Sequence, residues 1–280
     1  MTTTAPRAFV VGWPIAQSRS PLIHGHWLAT HGLEGTYERV AVPPDEIEAF
    51  LRGLAAAGWV GGNVTVPHKE IAYRIATERD AVAEATGAVN TLWMESGKLC
   101  GANTDAPGFL ANLDDRSAGW DARPGDAVVL GAGGAASAVA WGLIARGFRV
   151  RLVNRTLARA ETLAARLGAG TTADDWSAVP RLLADARLLV NTTSLGMSGK
   201  GDLDLDLAPL APDALVTDIV YVPLATPLLA AARARGLATV DGLGMLLHQA
   251  VPGFERWFGL RPTVTAELRR LILADLGVSE

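Results

Sequence analysis

The run Val128-Val129-Leu130-Gly131-Ala132-Gly133-Gly134-Ala135-Ala136 constrains this chain more than any other. It reads as an apolar strand, a glycine turn and the first turn of a helix. Gly131 and Gly133 take the first two places of G-x-G-x-x-G/A, and Ala136 takes the third. Such a turn lets a pyrophosphate approach the backbone and rest on the N–H groups of the helix start. Downstream, Asn154-Arg155-Thr156 stands where the second strand of the unit should end. An NAD site has Asp or Glu there, accepting from the ribose 2′-hydroxyl. A neutral Asn154 followed by the guanidinium of Arg155 suits a 2′-phosphate instead, so the expected dinucleotide is NADP(H).

The motif begins near residue 128, so enough chain precedes it for a separate domain. That chain alternates apolar runs with helical patterns. Strands are expected at 8–12, 36–42 and 60–66, and a strand pair at 91–95 and 98–101 around Ser96-Gly97. Helices are expected after Ser20-Pro21, with Ser20 as N-cap and Pro21 first in the helix, over 45–57, and after Pro67. A helix over 105–115 follows, then a turn-rich stretch at 117–126. Further strands are expected near 127–130, 149–153, 187–191, 214–218 and 238–241, and closing helices over 243–258 and 263–276. Alternation of this kind predicts an α/β protein of two α/β domains with a cleft between them. The first is a substrate domain with a mostly parallel sheet, residues 1–106, completed by helices in 243–280. The second is an NADP-binding Rossmann domain, residues 107–242.

Composition excludes several classes. The net charge of −4, without a basic run, argues against nucleic acid. The single cysteine, Cys100, rules out a disulfide framework and a cysteine zinc site, and it fits a reducing cytoplasm. The stretch from Ala127 to Ala145 carries no charge and approaches the length of a membrane span. Its glycines at 131, 133, 134 and 142 read better as strand, turn and buried helix, so no membrane association is expected. No Gly-x-Ser-x-Gly elbow occurs, and Gly199-Lys200-Gly201 fails the P-loop pattern. The five histidines show no zinc-type spacing, and no metal is expected.

Three segments could carry chemistry. In Asn63-Val64-Thr65-Val66-Pro67-His68-Lys69 a strand delivers Thr65 and a helix start presents Lys69. A cation near unpaired N–H groups is poorly placed by the helix dipole, so Lys69 either reaches solvent or is held for a purpose. Asp105 in Asn103-Thr104-Asp105 is a plain N-cap, or a carboxylate partner for a proton-relaying lysine. Ser18-Arg19-Ser20-Pro21 puts two hydroxyls at a helix start, a seat for a carboxylate ligand or simply a cap at Ser20. Met245 packs at a helix start or meets a flat cofactor ring.

Taken together, these segments resemble the shikimate dehydrogenases along nearly the whole chain. In family order stand Gly12-x-Pro14-Ile15-x-x-Ser18-x-Ser20-Pro21, Asn63-Val64-Thr65-x-Pro67-x-Lys69, Gly87-Ala88-Val89-Asn90-Thr91 and Asn103-Thr104-Asp105-x-x-Gly108. The Gly131 loop, Asn154-Arg155-Thr156, Asn191-Thr192-Thr193 and Asp241-Gly242-Leu243-Gly244-Met245-Leu246 with Gln249-Ala250 follow. The resemblance implies reversible reduction of 3-dehydroshikimate to shikimate with NADPH, in aromatic amino-acid biosynthesis. It implies a catalytic pair, Lys69 and Asp105. Ser18 and Ser20 would hold the substrate carboxylate, and Thr65, Asn90, Gln249 and Tyr221 the rest of the substrate. The cofactor would lie on Gly131, Ala132, Gly133, Gly134, Ala135, Asn154, Arg155, Thr156, Arg159, Thr192, Val220, Gly242 and Met245. A monomer or homodimer is expected.

Gln17 and Gly25 depart from the common family residues, His and Asn, without removing a proposed catalytic group. Two alternatives are a quinate/shikimate dehydrogenase using NAD, and a non-catalytic NADP-binding regulator on the same fold. Arg155 and Ser20 speak against the first; Lys69 with Asp105 speaks against the second.

Overall fold

The computed structural model of the protein describes residues 5–278. Backbone contacts divide the chain into two compact units. One runs up to Thr104 and resumes at Gln249; the other is Asp105–His248.

The first unit contains β1 (Arg7–Gly12), α1 (Ser20–Thr30), β2 (Thr36–Ala41), α2 (Ile47–Arg52), β3 (Gly61–Val64), α3 (Lys69–Ile75), β4 (Glu78–Arg79), α4 (Ala81–Thr86), β5 (Thr91–Glu95) and β6 (Lys98–Ala102). Its sheet has the order β2-β1-β3-β5-β6-β4. The β1 pairings with β2 and β3 and the β4–β6 pairing are parallel; β5 runs antiparallel to both β3 and β6. The antiparallel pair β5–β6 is the expected hairpin around Ser96-Gly97. On one face of this sheet Phe9, Val11, Val64 and Leu92 pack with Ile47, Leu51 and Ala72 from α2 and α3. On the other, Ala8 and Val10 meet Tyr37 and Trp257. Alternate residues of β1 thus face opposite ways, as the strand repeat requires.

The second unit contains α5 (Asp105–Arg116), β7 (Asp126–Leu130), α6 (Gly134–Ala145), β8 (Arg149–Asn154), α7 (Leu157–Leu167), β9 (Thr171–Asp175), α8 (Val179–Asp185), β10 (Ala186–Asn191), β11 (Leu215–Asp218), α9 (Pro227–Ala234), β12 (Ala238–Val240) and α10 (Leu243–His248). The sheet order is β12-β11-β10-β7-β8-β9, with every neighbouring pair parallel. The chain winds outward from β7 through β8 to β9, then returns to β10 on the other side of β7. That is the doubly wound dinucleotide-binding topology, with its switch point between β7 and β10. Both faces are covered. Ala127 and Val129 join one apolar cluster with α5, α6 and α7, while Val128 and Leu130 join another with α8 and α9. Two-sided burial explains the unbroken apolar run in β7. The uncharged stretch 127–145 is therefore strand, turn and a 12-residue helix. Among the described residues no helix is long and apolar enough to cross a membrane.

The chain then returns to the first unit as α11 (Val251–Phe258) and α12 (Ala266–Asp275). The indole N–H of Trp257 donates to the Leu92 carbonyl at 2.8 Å, and that of Trp27 donates to the Thr263 carbonyl at 3.2 Å. Gly61 admits the first of these bonds, since a β-carbon there would stand 2.2 Å from the Leu92 oxygen and 2.5 Å from Trp257 Nε1.

Several local expectations need correction. Ser20 is not the N-cap of α1: Arg19 holds that position and no side chain caps the helix. The Ser20 hydroxyl instead lies 3.3 Å from that of Ser18, which also receives the Ser20 N–H at 3.4 Å. Asp105 is the first residue of α5, inside the helix. The helix expected over 45–57 is the shorter α2, ended at Gly53. The helix expected over 243–258 is two, α10 and α11; Pro252 sits in the first turn of α11, where a missing N–H breaks no helical bond. The strand β9, Thr-Thr-Ala-Asp-Asp, escapes a hydrophobic pattern because it is an edge strand paired only with β8.

His24 lies wholly inside the first unit, within an aromatic cage. Its ring stacks on Tyr37 at 3.9 Å and neighbours Trp27 and Phe254 at 5.7 and 5.8 Å. Burial favours the neutral ring and pulls its pKa down to about 3. In the unfolded chain the ring ionises near 6.5. The neutral cage thus contributes stability that is complete above pH 6.5 and is lost as pH falls from 6.5 towards 3, by about 1.4 kcal/mol per pH unit at most. Urea melts of wild type and His24→Phe across that window should diverge with this slope. Parallel curves would remove His24 from the acid response.

Candidate active site

In the first unit the strand directions bring the expected residues to one edge. Ser18 and Ser20 follow the carboxyl end of β1, and Thr65 and Lys69 follow the carboxyl end of the parallel β3. Asn90 precedes β5, which runs the other way, so it returns to the same edge. Asn103 and Thr104 follow β6 there, and the chain enters the second unit at Asp105.

Backbone hydrogen bonds lock these segments together. Thr65 N–H donates to the Val11 carbonyl at 2.9 Å, and Trp13 N–H to the Val66 carbonyl at 3.1 Å. Gly12 allows this approach, because a β-carbon there would lie 2.6 Å from Thr65 Cγ2. His68 holds the N-cap position of α3, and its Nε2 donates to the Val42 carbonyl at 2.8 Å. Its ring is therefore a structural fastener for the turn that presents Lys69, the first residue of α3. The Lys69 carbonyl accepts from Val89 N–H at 3.0 Å, and the Asn90 carbonyl accepts from Val64 N–H at 2.8 Å. Arg39 donates twice to the Ser18 carbonyl, at 2.9 and 2.6 Å, fixing the serine loop from β2.

Asn90 is held in one orientation. Its Oδ1 accepts from Thr104 N–H at 2.8 Å, Thr104 Oγ1 at 3.1 Å and Thr91 Oγ1 at 3.0 Å. Its Nδ2 is left on the Gln249 side, 3.5 Å from Gln249 Oε1. Beneath it, Asn63 Nδ2 donates to the Asn90 carbonyl and to Thr91 Oγ1, both at 3.1 Å, and Asn63 Oδ1 accepts from Tyr37 at 2.5 Å. Sequence reasoning does not single out Thr91, Thr104 or Tyr37 for this part. Their signal is a run of polar residues at strand ends, which burial forces to find partners.

In the second unit all strands are parallel, so every strand-end loop emerges at one edge. The Gly131 turn follows β7, Asn154-Arg155-Thr156 follows β8, Thr192 follows β10, Val220-Tyr221 follows β11 and Gly242 follows β12. Gly131 has φ 113°, and a β-carbon there would meet Thr192 Oγ1 at 2.6 Å. Gly133 caps α6 by position only, with no side-chain bond to the first helical turn. A β-carbon on Gly133 or Gly134 would meet nothing within 4 Å. Open space over uncapped N–H groups fits a pyrophosphate. Asn154 donates to the Thr156 carbonyl at 2.9 Å, closing the turn. Arg155 and the next-turn Arg159 are exposed, and neither has an acidic partner among the described residues. Those two cations fit a 2′-phosphate. Met245 is buried with Phe109, Leu113 and Val129, so its packing role is evident. Gly242 lies against backbone, where a β-carbon would stand 2.3 Å from the Ile219 oxygen. Val220 is buried and Tyr221 half-buried.

Comparison with known proteins agrees with this architecture. Residues 10–92 match the shikimate dehydrogenase substrate binding domain. Residues 117–197 match the shikimate/quinate 5-dehydrogenase family, and 242–266 the shikimate 5′-dehydrogenase C-terminal domain. A shikimate dehydrogenase (NADP(+)) of Mesorhizobium japonicum is 62% identical over 277 residues, 99% of each chain. A shikimate 5-dehydrogenase from Thermus thermophilus, solved with NADP(H) and shikimate, superposes with a TM-score of 0.86 at 36% identity, covering 96% of this chain and 99% of that one. A quinate dehydrogenase from Corynebacterium glutamicum, solved with NAD, gives 0.88 at 29% identity over 96% of this chain and 99% of that one. With near full-length identity of this size on a two-unit α/β fold, the chain belongs to the shikimate dehydrogenase family.

Proposed function

We propose that this enzyme interconverts 3-dehydroshikimate and shikimate with NADP(H), in the shikimate pathway. The observation that carries the reading is the gathering of Ser18, Ser20, Thr65, Lys69 and Asn90 at one edge of the first sheet, in a chain of this family. A ring bearing a carboxylate and hydroxyls needs donors at one end and convergent polar groups along its edge. Ser18 and Ser20 serve the carboxylate. Thr65, Asn90, Gln249 and Tyr221 serve the ring oxygens.

Bound NADPH supplies the hydride for reduction of the ketone. Lys69, as an ammonium, stabilises the negative charge that develops on the carbonyl oxygen and donates the proton that completes the alcohol. In the oxidative direction Lys69 takes that proton back. Asp105 is assigned the carboxylate that accepts from the reacting hydroxyl. Gly131, Ala132, Gly133, Gly134 and Ala135 serve the pyrophosphate. Asn154, Arg155, Thr156 and Arg159 serve the 2′-phosphate end. Thr192, Val220, Gly242 and Met245 serve the nicotinamide half. The residues up to Thr104 with the returning helices then act as the substrate domain, and Asp105–His248 as the NADP domain. A cytoplasmic setting, as monomer or homodimer, goes with the free, buried Cys100.

The reading is tested by crossing shikimate or quinate with NADP⁺ or NAD⁺ and following reduced-cofactor absorbance. Shikimate with NADP⁺ should give the highest kcat/KM. A highest value with quinate and NAD⁺, or no turnover at all, overturns it. Lys69→Ala should lower kcat by about 10²-fold or more, the scale of lost acid–base catalysis, with a smaller change in shikimate Kd. An unchanged kcat would remove Lys69 from the chemistry. Arg155→Ala should raise the NADP⁺ KM by about tenfold or more and leave NAD⁺ use nearly intact. Equal losses for both nucleotides would mean that Arg155 does not read the 2′-phosphate.

A further inference from the structure

Two polar side chains sit wholly buried at strand ends in the second unit, Asn191 closing β10 and Asp218 closing β11. Asp218 Oδ1 accepts from Asn191 Nδ2 and from Val220 N–H, both at 3.0 Å, and its Oδ2 accepts from Thr226 Oγ1 at 2.8 Å. Asn191 is oriented without ambiguity. Its Nδ2 also donates to the Leu195 carbonyl at 3.1 Å, while its Oδ1 accepts Thr193 N–H at 3.0 Å and Thr193 Oγ1 at 2.7 Å. Between them, Thr192 sends its N–H and hydroxyl to the Leu130 carbonyl at 2.9 and 2.6 Å, beside Gly131. One connected network therefore ties the glycine turn, the loop after β10 and the loop after β11.

We infer that Asp218 is a positioning residue for NADP(H), fixing Thr192 through Asn191, and Val220 through its own N–H. The inference rests on the proposed cofactor roles of those two residues. Burial pushes the Asp218 carboxyl up from its ordinary value, against the pull of the three donors. A buried carboxylate is an unfavourable way to fill space, and apolar replacements of such groups are often no less stable. What an apolar side chain lacks is an acceptor for Val220 N–H and Asn191 Nδ2, the two donors that set where the loops run. Asparagine keeps that acceptor, and its amide can donate to Thr226 Oγ1 in turn.

The test compares Asp218→Leu with Asp218→Asn by steady-state kinetics and by NADPH binding, followed through NADPH fluorescence. Asp218→Leu should raise the NADP⁺ KM and the NADPH Kd about tenfold or more, with shikimate KM changed by less than about threefold. Asp218→Asn should stay within about threefold of wild type on all three. Thr226→Val, which deletes one donor to the same carboxylate, should raise the NADPH Kd in the same direction, and Thr226→Ser should restore it. These two variants carry the test if Asp218→Leu does not fold. A lowered melting temperature with unchanged NADP⁺ KM, equal rises in both KM values, or an unaffected NADPH Kd in Thr226→Val overturns the inference. Failure of wild type to turn over shikimate would overturn the proposed reaction instead, and NADPH binding would still decide the role of Asp218.

Discussion

The Leu130 carbonyl accepts two hydrogen bonds from one residue, Thr192, and the ligand edge of the second unit depends on that contact. It draws the ends of β7 and β10 together at the point where the strand order reverses. Thr192 Oγ1 then occupies the space that a β-carbon on residue 131 would need, so only glycine fits. The same residue takes a positive φ, which releases the chain from β7 into the open turn before α6. Sterics and backbone conformation select glycine independently here. The result is a helix start with uncapped N–H groups and free space above them.

The first unit solves a similar problem with different parts. Gly12 and Thr65 close the gap between β1 and β3 as Gly131 and Thr192 do between β7 and β10. The edge is then furnished with polar side chains whose freedom has been removed from below. Asn90 has its oxygen committed to three donors, and its amide nitrogen lies 3.5 Å from Gln249 Oε1. Asn63, Tyr37 and Thr91 hold that arrangement, and His24 fills the space behind Tyr37 as a neutral ring. Buried polar groups destabilise unless paired, and here the pairing is what specifies geometry.

Much of this is legible in the order of residues. The glycine turn and the apolar run before it point to the parallel sheet of the second unit, because an uninterrupted apolar strand must be buried on both faces. Hairpin chemistry at Ser96-Gly97 locates β5 and β6. What fails is local and has tertiary causes. Ser20 resembles a cap, but its hydroxyl is engaged with Ser18 and the helix starts one residue earlier than a cap would place it. Pattern does not divide α10 from α11, since both are apolar on either side of Gln249-Ala250. The polar edge strand β9 gives no periodic signal. The partners of Asn90 and Asp218 lie up to tens of residues away, and only the sheet order brings them together.

The cations near β8 differ in whether the protein itself already satisfies them. Arg151, in mid-strand, makes two 2.9 Å bonds to Asp174, so its charge is neutralised within the protein. Asp175, opposite Asn154 in the strand register, accepts from Ser177 N–H at 2.9 Å, and that bond holds its carboxyl below the ordinary value. Arg155 and Arg159 have no such acidic partner among the described residues, so a phosphate would replace water at their guanidinium groups without breaking an internal ion pair. Asn154 completes the difference from an NAD site, because its amide closes the turn to Thr156 and offers no charge to repel a 2′-phosphate. Two positive charges without an acidic partner among the described residues and one absent negative charge, at the end of a single strand, would favour the phosphorylated dinucleotide.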